Sequence, residues 1–332
     1  MAQVNNSALR AALLNNIEDH NTLFGLSLGT MDEVNADFTP LGIVDKVSLK
    51  RKTIGNISMP ALKNSAVNFT SNLLTVNERI GTLEDCKFDL KFDEAELNAL
   101  NESWMGPANG ADIHSLAGQE MIMSAIYERV ADEIAAGVFT GVRGGSSVTN
   151  GGTNLFDGIW AKLLAAIVDT SFSTANNTIY PTSGAPTLTQ ANILAELKTY
   201  RDKFYAAANA DFLRSLRREG GVTFMQPSLF NMLADAQDAL LSNKDQIVTL
   251  GTDGFYRFKA LPKVIIKPSD MMIGVNNFFT SLPGNLFFLY GKGNSMPNIK
   301  IQEVYRDLVF LGDYKAAVDF ADPRALLFYK GY

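Results

Sequence analysis

The sequence predicts an α+β fold, and three stretches carry the prediction. Residues 112–139, DIHSLAGQEMIMSAIYERVADEIAAGVF, place apolar side chains every three or four positions. That is the period of one helix face. Residues 86–93, CKFDLKFD, alternate strictly between apolar and charged side chains, the period of a half-buried strand. From about residue 222 onward, short apolar runs alternate with a single amphipathic stretch, so strands dominate there with one helix among them.

The long helix is the element around which the rest is organised. Its apolar set is Ile113, Leu116, Ala117, Met121, Ile122, Ala125, Ile126, Val130, Ile134 and Val138. Asp112 is placed to cap it, and Gly141 and Gly144 stop the pattern. At 1.5 Å per residue the rod spans roughly 40 Å. The mean globular helix is about a third of that length. Used once and outside any heptad array, it reads either as a spine for flatter parts or as one long core helix of an enzyme.

With 332 residues the chain has room for one large domain or two ordinary ones. Hydrophobic residues make up 46% and charged residues 19%, which supplies a core and excludes wholesale disorder. No apolar run approaches the roughly 18 residues of a membrane span. The first 21 residues lack the apolar block of a signal peptide. The single cysteine, Cys86, excludes an internal disulfide framework and fits a reducing cytoplasm. The net charge is −6, and the densest basic clusters, Lys50-Arg51-Lys52 and Arg214, Arg217, Arg218, are small and flanked by acids. That balance argues against sequence-specific DNA binding. It suits a surface that lies beside nucleic acid without gripping it.

In chain order, residues 1 to about 40 read as a polar arm with one or two short helical turns, marked by Leu9, Leu13, Leu14 and Ile17. Alone, such an arm buries too little to stay folded. From about Gly42 to Asn77 the chain is an extended excursion. Val47 and Leu49 lie on one side of its first strand, with Lys46, Ser48 and Lys50 on the other. A turn-rich tip with Ile57 and Met59 follows, then a second strand-like run, NSAVNFTSNLLTVNE. A lone two-stranded hairpin is marginal in water, so this one is expected to lie against a partner or against its own domain.

The strand 86–93 points Cys86, Phe88, Leu90 and Phe92 inward and Lys87, Asp89, Lys91 and Asp93 outward, which makes Cys86 a core residue. A short helix, Glu94 to Met105, leads to the spine. Beyond it come a Gly/Ser-rich loop, a helix at Gly158 to Val168 and a polar linker. A helix from about Gln190 to Ala208 holds Ile193, Leu194, Leu197, Phe204 and Tyr205 in period. VTFMQP is a short strand, and Pro227 opens a helix through Leu241. YRFKALPKVIIK gives one or two strands and NLFFLYGK another. The tail returns in three extended pieces, with turns at Gly312-Asp313 and Pro323.

Catalytic chemistry finds little to stand on. The two histidines, His20 and His114, have no cysteine or second histidine at metal spacing, and each reads as a surface or capping residue. No Gly-x-Ser-x-Gly and no HExxH is present. GKGNS at 291–295 lacks the leading glycine of a phosphate loop. Ser146 and Ser147 have no histidine tied to them, and the pairs Glu94/Glu96 and Asp85/Asp89 sit on solvated faces. No cofactor is expected.

The order of parts resembles the major capsid proteins of tailed phages, the Hong Kong 97-type fold. The likeness is carried by CKFDLKFDEAELNALNESWM, by ADIHSLAGQEMIMSAIYERVADEIAAGVFTG with TNLFDGIWAKLL beyond it, and by GGVTFMQPSLFNMLADA, YRFKALPKVIIK and NLFFLYGKGN. The resemblance implies an N-terminal arm at 1–41 and an extended loop at 42–84. It implies a peripheral domain at 85–185 with 298–332, and an axial domain at 186–297. It further implies hexamers and pentamers of a virion shell, assembled in the host cytoplasm around packaged DNA without sequence-specific contacts. A separate scaffold, a portal and decoration proteins are the other implied partners, with no membrane. Subunits in such a ring meet head to tail. Lys50, Arg51 and Lys52, with Ile57 and Met59 at the tip, are then candidate contacts to Glu120, Glu128, Asp132 or Glu133 of an adjacent spine. A solvated charge cluster is the other reading of the same residues. An encapsulin-like compartment and an α/β enzyme with an unrecognised site are the alternatives.

Overall fold

The computed structural model describes residues 6–54, 74–93, 95–97, 99, 116–144, 152–168, 178–179, 187–240, 246–272, 274, 276–305 and 307–329. The chain opens with helices α1 (Asn6–Asn15), α2 (Ile17–Gly29) and α3 (Asp32–Asn35). Strands β1 (Thr39–Ile43), β2 (Lys46–Ile54), β3 (Leu74–Thr82) and β4 (Glu84–Phe92) follow. The spine is α4 (Leu116–Thr140), and α5 (Ile159–Val168) comes after it. Then come β5 (Thr178–Ile179), α6 (Ile193–Phe204), α7 (Ala210–Glu219), β6 (Gly221–Met225) and α8 (Pro227–Asp238). The remaining strands are β7 (Val248–Leu250), β8 (Tyr256–Phe258), β9 (Leu261–Pro268), β10 (Phe278–Ser281) and β11 (Leu286–Gly291). They end with β12 (Asn298–Val304), β13 (Asp307–Phe320) and β14 (Leu326–Tyr329).

Two units divide the chain: Met1–Lys46, Thr82–Leu163 and Phe287–Asp319 form the first. Its sheet runs β1-β11-β13-β12, with β4 also paired to β13. The long β13 takes β12 antiparallel, from Asn298↔Asp313 to Val304↔Asp307, and β4 antiparallel, from Leu308↔Phe92 to Ala316↔Glu84. The predicted alternation of β4 holds: Cys86 is buried, Phe88, Leu90 and Phe92 are half-buried, and Lys87, Asp89 and Lys91 are exposed.

Two expectations for this unit are corrected. The arm is not a polar tail. Its three helices bury Leu9, Leu13, Phe24, Leu28 and Val34 on their own chain, and Phe38 just beyond them is buried too. Phe24 stacks on Tyr127 of the spine at 4.9 Å, and Phe38 meets Phe139 at 5.3 Å. Asn16 Nδ2 donates to Gln119 Oε1 at 3.1 Å, and the Tyr127 hydroxyl donates to the His20 carbonyl at 2.8 Å. The arm therefore covers a second flank of the spine. That is why Met123, Ala135 and Phe139 are buried beside the predicted Ile122, Ile126, Val130, Ile134 and Val138, while Ala125 is exposed. The second correction is the turn at Gly312-Asp313. Both residues lie inside β13, paired on both sides, Gly312 with Ile299 and Phe88 and Asp313 with Asn298 and Lys87, and the glycine leaves room for the Phe88 ring.

Val47–Gly81, Leu164–Leu286 and Phe320–Tyr332 form the second unit. Its sheet runs β5-β14-β10-β6-β9-β8-β7, with β6 parallel to β9, β14 parallel to β5, and a bulge at Arg257/Phe258. The terminal strand β14 joins this sheet through Phe278↔Tyr329 on β10, apart from the β12–β13 pair that precedes it. Pro227 sits in the first turn of α8, as read from the sequence, where its missing N–H goes unneeded. The stretch from Gln190 to Ala208 is not one helix. It ends at Phe204, where Asn209 Nδ2 donates to the Lys203 carbonyl at 2.9 Å and closes the last turn. Tyr205 is accordingly 41% exposed. The next helix, α7, carries Asp211 in its first turn and Arg217 and Arg218 in its last, the arrangement its dipole favours. β2 and β3 form a separate two-stranded sheet, rooted by Leu49, 2% exposed, and by the Arg79 guanidinium 4.3 Å over the Phe320 ring.

Candidate assembly surface

Among the described residues, no group of three or more His, Cys, Asp or Glu side chains is placed to hold a metal. The Cys86 thiol is buried and held at about 12, with desolvation the main cause. A thiol held so far above neutral pH is a poor nucleophile. An open cavity of about 600 Å³ lies between the start of α6 and the end of α8. Leu194, Ala236, Ala239 and Leu240 are among its lining residues, and among the described residues no titratable side chain joins them. His114, Ser146, Ser147 and Glu94 lie outside the described residues.

His20 is not a surface residue. It is 3% exposed on the inner face of α2, and its Nε2 finds no hydrogen-bond partner among the described residues. Burial lowers its pKa from the usual 6.5, and the nearby Asp19 and Glu120 carboxylates pull the other way without winning. The fold thus favours neutral imidazole, while the unfolded chain takes up a proton near the ordinary value. Stability is full above about pH 6.5 and is lost as pH falls toward the folded pKa. We expect the urea midpoint of the parent to fall further than that of His20→Gln between pH 7.5 and 5.5. Equal losses would remove His20 from the account.

One buried group of charged side chains is paired. Lys162 Nζ lies 3.9 Å from both Glu84 Oε1 and Asp319 Oδ2, and Arg143 Nη1 lies 3.0 Å from Glu84 Oε2. Lys162 and Glu84 are only 12% and 14% exposed, so this cluster fastens α5 to the sheet of the first unit and is not a free surface.

The candidate contact residues fall into two groups. Glu120, Ser124, Glu128 and Asp132 step by four along one exposed band of the spine, forming an acidic stripe. Glu133 stands apart from it, half-buried and bonded to Arg129 Nε at 3.1 Å. Lys50 is exposed on β2, 3.8 Å from Glu78. Both partners are half exposed, and such a pair contributes about 0–1 kcal/mol, so it does not tie Lys50 down. Arg51 and Lys52 continue the strand, their side chains outside the described set, as are Ile57 and Met59 entirely. Sequence reading missed another group: Leu23 and Leu26 on α2, Ile80 on β3, Leu250 on β7 and Tyr305 after β12 are all more than half exposed. Exposure of this kind leaves no periodic signal.

No protein-family model and no curated protein matches the sequence. Among solved structures, a chain of the satellite phage P4 procapsid that includes the size determination (Sid) protein aligns at 13% identity with a TM-score of 0.56. The alignment covers 93% of this chain and 98% of that one. A chain from the capsid of the empty GTA particle computed with C5 symmetry aligns at 10% identity with a TM-score of 0.50, covering 91% and 90%. At these identities what is shared is the fold, and the α+β architecture here is that of the phage capsid proteins, the Hong Kong 97 type.

Proposed function

We propose that this chain is a structural shell subunit, closing into hexamers and pentamers of an icosahedral virion shell around double-stranded phage DNA. The observation that carries the reading is the fold match to the P4 procapsid chain, end to end in both proteins. The two-stranded β2–β3 sheet supports it as well. Among the described residues it pairs with no further strand, and a hairpin of that kind gains most from a neighbour's surface. In this reading residues 1–41 are the arm, 42–84 the extended loop, 85–185 with 298–332 the peripheral domain, and 186–297 the axial domain. Lys50, Arg51 and Lys52 of the loop, with Ile57 and Met59 at its tip, meet Glu120, Glu128 and Asp132 of an adjacent copy. Obligate contacts of this class bury more than about 2,000 Å². The net charge of −6 keeps packaged DNA loosely held. Assembly in the host cytoplasm, with a separate scaffold, a portal and decoration proteins, completes the proposal.

Negative-stain microscopy and size-exclusion chromatography of the expressed chain test it. Closed particles of hundreds of ångströms are expected, and a species that stays at the mass of one or two chains at every concentration would overturn the reading. Nuclease-protected DNA inside particles recovered from a phage lysate separates a genome shell from a compartment for protein cargo.

A further inference from the structure

We propose that Tyr305 is a contact between copies of this chain, its ring seated in a neighbour's surface. The proposal rests on the shell reading and involves a surface distinct from the 42–84 loop. Strands β12 and β13 are paired as far as Val304↔Asp307, so only two residues, Tyr305 and Arg306, connect them. Two-residue hairpin connections need positive φ, and Gly, Asn and Asp adopt it with least strain. Tyr305 has φ 60 and is the only non-glycine among the described residues with a positive value. An L side chain with a bulky ring is disfavoured there. Nor does the ring recover anything within its own chain, for it is 94% exposed.

The residue before it breaks a pattern too. Ile299 and Ile301 of β12 point inward, while Asn298, Lys300 and Gln302 point to solvent. Val304 continues the solvent-facing set and is 43% exposed, an apolar side chain where its strand places polar ones. Two adjacent positions thus carry side chains that neither the turn nor solvent favours, at a tip with a firm base. Below the tip, the Ser7 hydroxyl donates to the Glu303 carboxylate at 2.8 Å, and Arg10 Nε donates to the Ile301 carbonyl at 3.3 Å. The strand below the tip is thereby tied to α1 of its own chain. Tyrosine is among the residue types that most often carry interface energy. In the shell reading every copy presents the same tip, and the partner present in equal number for all of them is another copy.

The decisive variant is Tyr305→Asn, because asparagine tolerates the left-handed conformation. Relief of strain and loss of the contact then act in opposite directions. The urea midpoint of the unassembled subunit is expected to stay the same or rise, while the threshold concentration for assembly rises about tenfold. Tyr305→Phe should keep the parent threshold. A photo-crosslinker placed at 305 should join one copy to another. An unchanged threshold in Tyr305→Asn overturns the contact while leaving the shell reading intact. Crosslinking only to a different protein overturns it as well. A parent chain that never self-associates overturns both.

Discussion

Replacing Gly158 by alanine is expected to destabilise the first unit by about 3 kcal/mol, the upper end of what overpacking costs. The close approach is backbone on backbone. A Cβ on Gly158 would lie 2.7 Å from the Gly137 carbonyl oxygen, 2.8 Å from the Gly141 nitrogen and 2.8 Å from the Phe139 carbonyl carbon. None of these atoms belongs to a side chain that can swing away. The contact also includes two hydrogen bonds, from Gly158 N to the Gly141 carbonyl at 2.8 Å and from Val142 N to the Thr153 carbonyl at 2.8 Å. The substitution would therefore push the start of α5 off the end of the spine and strain these bonds as it does so. Thermal melting should show a drop of about 10 °C, taking roughly 2–4 °C per kcal/mol for a unit of this size. A melt within a degree or two of the parent would mean the spine's end is looser than drawn. Gly141 makes the same argument from the other side, since a Cβ there would lie 2.5 Å from the Phe156 carbonyl oxygen.

This contact shows what the sequence could announce and what it could not. Gly141 and Gly144 were legible as a stop for the long helix, and the helix does end at Thr140. That Gly158 packs into the same point depends on a tertiary approach with no local signature. The same division runs through the chain. β4 was legible because every second residue is charged, and α8 because Pro227 can only open a helix there. The arm was misread because its leucines and phenylalanines are spaced among Asn, Asp and Thr. That composition looks solvent-bound until the flank of the spine it covers is known. β10 and α7 went unnoticed for different reasons. β10 is four residues, all buried, with no alternation to reveal it, and the apolar positions of α7 are outnumbered by charges. On the candidate surface, the acidic stripe could be read from sequence because its members recur at helical spacing. Tyr305 could not, since a positive φ in a residue other than glycine leaves no trace in composition.

Removing one hydroxyl, in Tyr200→Phe, is expected to cost the second unit about 2 kcal/mol, although the ring and its packing stay in place. Tyr200 is fully buried, edge-on to Phe204 at 5.1 Å and to Phe278 at 4.8 Å. Its oxygen lies 2.7 Å from the Leu327 carbonyl and 2.7 Å from Thr280 Oγ1, which is itself 2.7 Å from Thr223 Oγ1. A phenol has one proton, and the carbonyl can only accept, so that proton goes to Leu327. The second bond must then receive its proton from Thr280, and Thr280 in turn accepts from Thr223. The chain of donation runs from β6 through β10 to α6 and ends on β14, pinning a helix across three adjacent strands. Burial raises the pKa of the phenol well above its usual value, so the hydroxyl keeps its proton at neutral pH. The phenylalanine variant leaves the Thr280 hydroxyl and the Leu327 carbonyl without the oxygen they were bonded to. Thr280→Val combined with Tyr200→Phe removes one of the stranded groups. The double variant should therefore lose less than the sum of the two single losses, by more than about 0.5 kcal/mol. Strict additivity in urea unfolding would mean that the three hydroxyls act separately, and that the strand order of this sheet is held by its aromatic packing alone.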